Sequence, residues 1–537
     1  MKWLEHQWVT VVFLILALFI HFSQLGALSI YILDEAKNAT AGFEMWQSSD
    51  WILPTFNGYP RYDKPPLHYY FFGLAYQFFG VTPFAARFFP ALMGWLTVCL
   101  VYFTVDRHFG RLAALTSGVI LLASVHWVIQ FHLAVPDPFL IFFLTASLLF
   151  FVRHWEGNQE NKSYLRWMAL TLGLAVLSKG PVALALIAGT ILLFFLFQKK
   201  GFWKRFKSVL DPMAIVIFLA VALPWYFLIA WKTDGVWVQE FFFKHNLSRF
   251  SAPMEGHGGG FYLTLLYVLL GMMPGSLVIV SSFRSLVVYS SVPDLVKISL
   301  IFSFLTICFF MISGTKLPNY TAPSYPFLAI VIGWLLRDGK EWERVKWPGL
   351  VGVIFLCVLP FGIYFGLKAN MEYAESAYVG LYFFTGSLIG IGSVFFWFKE
   401  RWVLHWVVLC LGFVSVSLMF LYLAFPVLDR KNPVISSGVE QFRELDFYHF
   451  KEFNPSFAFT LQKEIKELGS KHVGQVSEGI VILRKRNLDE FKELGYSYEL
   501  IFEGRDLFES PTTVLLRIRK PDQNSKQRLE VVPNPVE

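Results

Sequence analysis

Long apolar segments recur along the chain, and they constrain its fold more than any other feature. A transmembrane helix needs about 20 predominantly apolar residues, and thirteen segments of this 537-residue sequence approach that length. Hydrophobic residues make up 55% of the chain and charged residues only 16%, whereas soluble domains carry about 25% charged residues. The sequence therefore predicts an all-α polytopic membrane protein with about thirteen transmembrane helices, and it excludes a disordered chain, a coiled coil and a small disulfide scaffold. The predicted spans are 8–30, 84–105, 112–130, 136–152, 166–180, 181–198, 212–231, 260–282, 298–313, 320–336, 347–367, 377–398 and 402–425.

Basic residues concentrate in alternate loops between these spans. Clusters such as those in 199–207 and 337–346 lie in one set of loops, whereas the opposite short loops hold few Lys or Arg residues. Because cytoplasmic loops carry the excess of Lys and Arg, we expect a cytoplasmic N-terminus and, after thirteen spans, an extracytoplasmic C-terminus. The same loops account for the formal net charge of +7, so no nucleic-acid partner is expected.

The composition changes after about residue 428. Residues 1–428 form the predicted transmembrane domain, in which the external loops 31–83 and 232–259 are long enough to build a site. From 429 to 520 the chain is charged and carries alternating apolar runs typical of strands, with one helical pattern. We therefore expect a small extracytoplasmic α/β domain at 429–520 and a disordered tail at 521–537.

Two carboxylates follow the first predicted span directly. Asp34 and Glu35 stand at the start of loop 31–83, and an acidic pair beside an external cavity suits proton abstraction or metal binding. Asp137 opens the fourth span on the same side. Each has an ordinary alternative, because loop carboxylates are often simply solvated and an Asp beside Pro commonly starts a helix. These three residues are the catalytic candidates.

Six of the basic residues predicted on the external side, where Lys and Arg should be scarce, are candidates for binding an anion. An anionic lipid phosphate is a natural partner for such cations. Lys64 precedes two prolines and a predicted juxtamembrane aromatic helix, 67–80, which puts it at headgroup depth. There it would either hold a phosphate or snorkel to the interface. The candidate phosphate-binding residues are Lys37, Arg61, Lys64, Lys179, Arg249 and Lys316.

Histidines in the second long external loop are candidate metal ligands. His245 and His257 lie twelve residues apart near carboxylates, and imidazole with carboxylate oxygen can bind a divalent cation. The spacing matches no local zinc motif, so unligated polar histidines are the alternative. A divalent cation is thus a candidate cofactor, and no organic cofactor is expected.

A set of short motifs in a characteristic order resembles a known enzyme family. The chain is similar to the polyprenyl-phosphate-dependent GT-C glycosyltransferases, the bacterial relatives of the dolichyl-phosphate-mannose protein mannosyltransferases. Within them it is most like the aminoarabinose transferases that modify lipid A. The resemblance covers the membrane region to about residue 330. The matching pieces are Asp34-Glu35, 49–54, 58–65, Asp137-Pro138-Phe139, 178–180, 223–225, 245–250, His257 and 314–320.

The resemblance implies a fold, a reaction and roles for matching residues. It implies the GT-C fold and an inverting displacement in which the lipid phosphate of a polyprenyl-phosphate sugar leaves as an acceptor oxygen attacks. Asp34 would be the catalytic carboxylate, and Lys64 and Arg249 would bind the donor phosphate. Lys37 stands where the family usually has Arg. Asp63 stands where it often has Glu, a residue that together with a loop histidine can hold a divalent cation.

Two other classes of function are compatible with a hydrophobic chain of this kind. A multi-pass transporter or flippase would place ionisable residues deep within its spans, whereas these charges gather at helix ends and in external loops. A scaffolding membrane protein leaves the external cations unexplained. We therefore expect a monomeric glycosyltransferase of the bacterial cytoplasmic membrane, whose acceptor is a lipid A-like lipid, a protein or a surface glycan.

Overall fold

Helices dominate the structure, a computed structural model that describes residues 6–31, 33–157, 161–198, 201–248, 258–288, 292–469, 476 and 478–519. Each of the thirteen predicted apolar segments falls largely on helical backbone. Within the described residues, seven helices are long and apolar enough to cross a membrane, and up to nine if each of two bent pairs is one span. The multi-pass architecture is therefore confirmed, while the count of thirteen crossings stays a prediction.

The helical part extends from Gln7 to Asp429. Prolines and capping side chains mark several helix starts. Thr82, for example, accepts a hydrogen bond from the backbone N–H of Ala85 at 3.2 Å, directly before a helix with Pro at its first position. The α-helices are Gln7–Phe22, Leu33–Ser48, Leu67–Phe79, Pro83–Phe109, Arg111–Ala123, Val125–Phe131, Asp137–Glu156, Ser163–Lys179, Val182–Phe197, Phe202–Ser208, Pro212–Lys232, Val236–Gln239, Tyr262–Gly271, Gly275–Val288, Asp294–Ile312, Tyr325–Leu335, Lys346–Ala369, Phe384–Phe398, Trp402–Met419 and Phe425–Asp429. Tighter or wider helical turns are Glu240–Ser248, Pro318–Ser324, Glu341–Val345, Ala374–Phe383 and Phe420–Ala424.

A mixed five-stranded sheet follows the helical part. The sheet and the short helices beside it are here called the soluble domain. Its strand pairs are parallel on one side of Glu478–Arg484 and antiparallel on the other. Consecutive apolar residues of the two central strands are buried, so both faces of the sheet are covered, as is typical of strands with continuous apolar runs. In spatial order the strands are Lys466–Glu467, Phe447–Phe450, Glu478–Arg484, Thr512–Arg519 and Ser497–Arg505, and the short helices are Pro433–Ser436, Ser456–Leu461 and Leu488–Lys492.

The soluble domain packs on one end of the helical part. The backbone N–H of Phe508 donates to the Tyr373 hydroxyl at 3.1 Å, and the Gln462 amide donates to the Val81 carbonyl at 3.0 Å. The ring of Phe459 lies 6.5 Å from that of Tyr76. The soluble domain therefore lies beside the segment 31–83, which carries most of the predicted site. The predicted tail 521–537 lies outside the described residues.

Candidate active site

The segment predicted as the external loop 31–83 is largely helical. Residues Leu33–Ser48 form one helix, here called the acidic helix, and Leu67–Phe79 form the aromatic helix, as expected from the aromatic run at 67–80. The acidic helix was missed because its many polar residues lower its mean hydropathy. Its composition nevertheless favours a helix, since Asp34 and Glu35 in the first turn complement the helix dipole.

Glu35 is a buried structural residue rather than a group facing substrate. It is 0% exposed, and its carboxylate oxygens accept hydrogen bonds from Arg87 Nε at 2.8 Å and Nη2 at 2.9 Å. The backbone N–H of Ala134 also donates to it, at 2.9 Å. The geometry thus gives no support to the catalytic role predicted for Glu35. The pair instead ties the acidic helix to the helix Pro83–Phe109.

We expect Glu35→Ala to destabilise the protein by about 3–5 kcal/mol, because it leaves the buried guanidinium of Arg87 uncompensated. The measurement is thermal unfolding of the purified protein in detergent. Asp34→Asn is the matched control, since the Asp34 side chain is 50% exposed and its neutralisation strands no buried charge. Equal melting temperatures for wild type and Glu35→Ala would contradict this assignment.

Arg61 is the centre of a cluster of polar side chains that includes Asp34, Asn38 and Asp63, here called the Arg61 cluster. It is 7% exposed, and its Nη2 donates to Asp34 Oδ1 at 3.3 Å, to Asn38 Oδ1 at 3.1 Å and to Asp63 Oδ2 at 2.9 Å. Its Nε lies 2.7 Å from Asp63 Oδ1. Two residues predicted as separate candidates, Asp34 and Asp63, are therefore held on one guanidinium. These contacts with two carboxylates suit a positioning role for Arg61.

Lys64 lies within the same electrostatic neighbourhood. Its charge and that of Arg61 act on Asp63 and on His68. Burial raises the pKa of Asp63, but Arg61 and Lys64 outweigh it, so the pKa lies below its ordinary value and the group is ionised at neutral pH. Lys64 is 8% exposed and His68 is fully buried. Burial lowers the pKa of His68 well below its ordinary value, so this imidazole is neutral.

Lys37 lies on the acidic helix one turn beyond Asp34, and it is half-buried. Residues three apart on a helix face the same way, so its ammonium can approach a ligand that sits beside Asp34. The structure thus brings together Asp34, Arg61, Asp63 and Lys64, and Lys37 lies on the same face of the acidic helix as Asp34.

A second polar group lies at the ends of neighbouring helices. The Lys179 ammonium is 2.6 Å from Asp137 Oδ1 and 4.9 Å from the centre of the Tyr320 ring. Asp137 is 3% exposed, and its ion pair with Lys179 offsets its charge. Lys316 Nζ donates to the carbonyls of Met311 at 2.9 Å and of Ser313, and so caps the preceding helix. These contacts favour structural roles for Asp137, Lys179 and Lys316.

Aromatic residues connect the two groups. The Trp237 indole donates to the Arg61 carbonyl at 2.8 Å and stacks on Phe241, with ring centres 4.8 Å apart. Phe241 lies against Gly180, where a Cβ would come within 2.6 Å of the ring and where φ is +84°. Only glycine suits both that backbone and that approach. Trp237 and Phe241 thus lie between the Arg61 cluster and the helix end at Lys179.

The predicted metal ligands are only partly within the described residues. His245 is close enough to Asp63 to lower the pKa of that carboxylate, as a shared cation site requires. Both oxygens of Asp63, however, already contact Arg61, and among the described residues there is no group of three metal-ligating side chains. His257 and the predicted phosphate ligand Arg249 lie outside the described residues. The described residues therefore do not complete a metal site by themselves, and the divalent cation stays a prediction.

Chelation tests the metal prediction directly. We expect EDTA treatment to leave the catalytic rate of the purified protein unchanged, because Arg61 rather than a cation neutralises Asp63. The rate is measured before and after dialysis against EDTA, with a known metalloenzyme treated in parallel as control. Loss of the rate on chelation and its return with a divalent cation would establish a metal site and contradict this expectation.

Five residues that shape the site were not among the candidates from the sequence. Arg87 lies inside a predicted span, and a charge there signals a buried partner. Asn57 and Gly58 form the dipeptide typical of a two-residue hairpin turn. Asn38 and Glu44 stand out only by their position on the acidic helix.

The cluster combines a half-exposed carboxylate with buried cations. Asp34 can accept a proton from a bound hydroxyl, and an ammonium beside it can stabilise an anionic leaving group. Such a pairing suits a transfer reaction in which an oxygen nucleophile is deprotonated while a phosphate departs.

Comparisons with known proteins relate this chain to one family of enzymes. Residues 63–228 match the family described as dolichyl-phosphate-mannose-protein mannosyltransferase. A protein of Aquifex aeolicus without assigned function is 31% identical over 341 residues, which cover 63% of this chain and 74% of that protein. The undecaprenyl phosphate-alpha-4-amino-4-deoxy-L-arabinose arabinosyl transferase of Aeromonas hydrophila is 27% identical over 437 residues, covering 78% of this chain and 77% of the relative.

The fold also has a solved counterpart. The crystal structure of ArnT from Cupriavidus metallidurans bound to undecaprenyl phosphate superposes with a TM-score of 0.77, covering 95% of this chain and 98% of that chain at 20% sequence identity. This similarity demonstrates a common fold for the helical part and the soluble domain together.

Proposed function

Because this chain belongs to the GT-C membrane glycosyltransferases, we propose that it moves a sugar from a polyprenyl-phosphate donor to an extracytoplasmic acceptor. The observation that carries the proposal is the half-exposed Asp34 carboxylate beside the buried cations Arg61 and Lys64. The relative from Aeromonas hydrophila is named for an undecaprenyl phosphate-linked aminosugar, which supports a donor of that class.

The reaction is a single displacement at the anomeric carbon. The acceptor oxygen forms a bond to that carbon as the bond from carbon to the lipid phosphate oxygen breaks, so the configuration inverts. The bonding electrons leave with the lipid phosphate. Asp34 takes the proton of an acceptor hydroxyl. If the acceptor is a phosphate, which is already ionised, Asp34 orients the reactants or stabilises positive charge on the sugar.

The basic residues divide between binding and positioning. Lys64 carries the donor phosphate as a point charge, with Lys37 in support from the acidic helix. Arg61 holds Asp34 and Asp63 in place through its hydrogen bonds. Arg249 keeps its predicted part in phosphate binding.

The setting follows from the predicted topology. The protein lies in a bacterial cytoplasmic membrane with its N-terminus inside, and it acts as a monomer. The soluble domain and the Arg61 cluster then face the extracytoplasmic side. The acceptor is a lipid A-like lipid, a protein or a surface glycan presented on that side.

Product analysis tests the proposal. Cells with and without the protein are compared by mass spectrometry of lipid A, glycoproteins and surface glycans. We expect one acceptor class to lose a defined sugar mass when the protein is absent, and purified protein to restore that mass from a polyprenyl-phosphate sugar. Vectorial uptake of a lipid-linked substrate into liposomes without any transfer product would instead identify a transporter or flippase.

A further inference from the structure

A short β-hairpin, Thr55–Pro60, stands directly before Arg61. Its two strands pair Thr55 with Pro60 and Phe56 with Tyr59, and the turn residues Asn57 and Gly58 both have positive φ, 54° and 77°. This is the backbone for which Asn-Gly is preferred. A two-stranded hairpin of this size is not stable in water without further packing. Its position must therefore come from what surrounds it.

The soluble domain holds the tip of the hairpin through Asn57. The Asn57 side-chain amide donates to the Ile465 carbonyl at 2.8 Å, and its carbonyl oxygen accepts from the Ile465 backbone N–H at 2.7 Å. Asn57 is 3% exposed and Ile465 0%. The amide thus satisfies a backbone N–H and C=O that precede the edge strand Lys466–Glu467, in the way a neighbouring strand would.

The hairpin is also packed into the soluble domain. Phe56 contacts the hydrophobic core of that domain and stacks on Phe453, with ring centres 6.1 Å apart and an interplanar angle of 15°. A Cβ at Gly58 would come within 3.1 Å of the Glu464 carboxylate. Three successive residues of the hairpin therefore touch the soluble domain.

The acidic helix holds the hairpin from the other side. Glu44 accepts hydrogen bonds from the Thr55 hydroxyl at 2.6 Å and from the backbone N–H groups of Asn57 at 2.6 Å and Gly58 at 3.3 Å. The hairpin base is closed by the Arg61 N–H, which donates to the Pro54 carbonyl at 2.8 Å. The hairpin, held by the acidic helix and the soluble domain, therefore ends directly before Arg61, which donates hydrogen bonds to Asp34 and Asp63.

We propose that Asn57 is a positioning residue, through which the soluble domain fixes the Arg61–Lys64 segment for binding of the donor phosphate. The assignment rests on the proposed function and gives the soluble domain a part in it. A charged ligand is bound well only when its partner groups are held in place in advance, since displacements of about 1 Å are costly. A marginal hairpin supplies that rigidity only while both of its neighbours hold it.

Asn57→Ala and Asn57→Gly test the hydrogen bonds. Loss of two hydrogen bonds to a backbone that stays buried is expected to raise the KM for the polyprenyl-phosphate sugar about tenfold. The KM for the acceptor should stay within about twofold. Asn57→Gly retains the positive φ without strain, so an effect shared by both variants comes from the lost amide and not from the backbone.

Asn57→Asp provides a signature that loss of folding cannot imitate. The carboxylate can still accept from the Ile465 N–H, but it cannot donate to the Ile465 carbonyl until it is protonated. We therefore expect the donor KM of this variant to fall back toward the wild-type value as the pH is lowered from about 8 to about 5, relative to wild type at each pH. If the ratio of the variant KM to the wild-type KM does not change with pH, the role of the Asn57 amide as a hydrogen-bond donor to Ile465 is overturned.

Hydrogen exchange of the full-length protein separates this proposal from the proposed function. Asn57→Ala should exchange faster than wild type in 55–66 and at the same rate in the strand Thr512–Arg519. Gln462→Asn is the matched control, because it removes the contact of the same domain to Val81 and tolerates the left-handed backbone at that position (φ 53°). It should change neither the exchange of 55–66 nor the donor KM.

The outcomes are distinct. Unchanged exchange of 55–66 in Asn57→Ala overturns the positioning role, whatever the enzymatic activity. Faster exchange with an unchanged donor KM overturns its link to donor binding. If the wild-type protein transfers no sugar, the proposed function fails, while the exchange experiment still decides whether Asn57 holds the segment.

Discussion

Asp34→Asn should reduce sugar transfer by about 10²–10⁴-fold in kcat, the usual contribution of a positioned general base. The side-chain amide keeps the size of the carboxylate, and its oxygen can still accept from Arg61 Nη2, which lies 3.3 Å from Asp34 Oδ1. What it loses is the ability to take a proton. The measurement is the steady-state rate with saturating polyprenyl-phosphate sugar and saturating acceptor, so that substrate binding does not limit the rate.

The size of the loss also reports on the acceptor. A hydroxyl acceptor must be deprotonated and should show the full effect, whereas a phosphate acceptor needs no base and should show a smaller one. An unchanged melting temperature for Asp34→Asn shows that the protein is folded. Full activity in a folded variant would remove Asp34 from the catalytic role.

Lys64→Ala should raise the KM for the donor by about 10–100-fold, because a hydrogen bond to a charged group contributes about 1.5–3 kcal/mol. Lys64 is 8% exposed in a cluster whose other cation, Arg61, is occupied by Asp34, Asn38 and Asp63. The two carboxylates thus offset the charge of Arg61, and Lys64 adds a second positive charge to the same cluster. Initial rates at varied donor concentration, with the acceptor saturating, give the KM.

Two further substitutions make this result specific. Lys64→Arg keeps the charge and should recover part of the donor affinity. Lys37→Ala removes a half-buried cation one turn along the acidic helix and should have a smaller effect than Lys64→Ala. A donor KM that is the same in wild type and Lys64→Ala would place the phosphate elsewhere, with Arg249 as the next residue to test.

Local patterns in the sequence were sufficient to predict the helices of the membrane part. Hydropathy over about 20 residues depends only on neighbours along the chain, so segments such as Pro212–Lys232 and Asp294–Ile312 appear in the structure close to their predicted bounds. The aromatic run predicted the aromatic helix, and short alternating apolar runs predicted strands in the soluble domain. Hydropathy failed for the acidic helix, whose charged residues were interpreted as a loop although the helix is held by packing and by Arg87.

Some candidate residues are exposed at the site and others are buried in ion pairs, and their spacing in the sequence does not indicate which. Asp34 and Glu35 are adjacent in the sequence, yet one is half-exposed at the site and the other is buried against Arg87, 52 residues away. Successive residues of a helix point in directions about 100° apart, so their surroundings differ completely. Asp137, Lys179 and Lys316 are site candidates because of their charge. In the fold Asp137 and Lys179 form an ion pair and Lys316 donates to carbonyls at a helix end, while their part in the site stays a prediction.

The sequence by itself determined that the chain is a multi-pass helical membrane protein with an α/β C-terminal region, and its ordered motifs identified the glycosyltransferase family. These properties depend on local composition and order. Only the tertiary structure decided which charges are available, that Arg61 gathers Asp34 and Asp63, and that the soluble domain reaches the same loop through Asn57 and Ile465, 408 residues apart. Charge pairing and burial depend on distances across the fold, and those distances are not written in any short stretch of the chain.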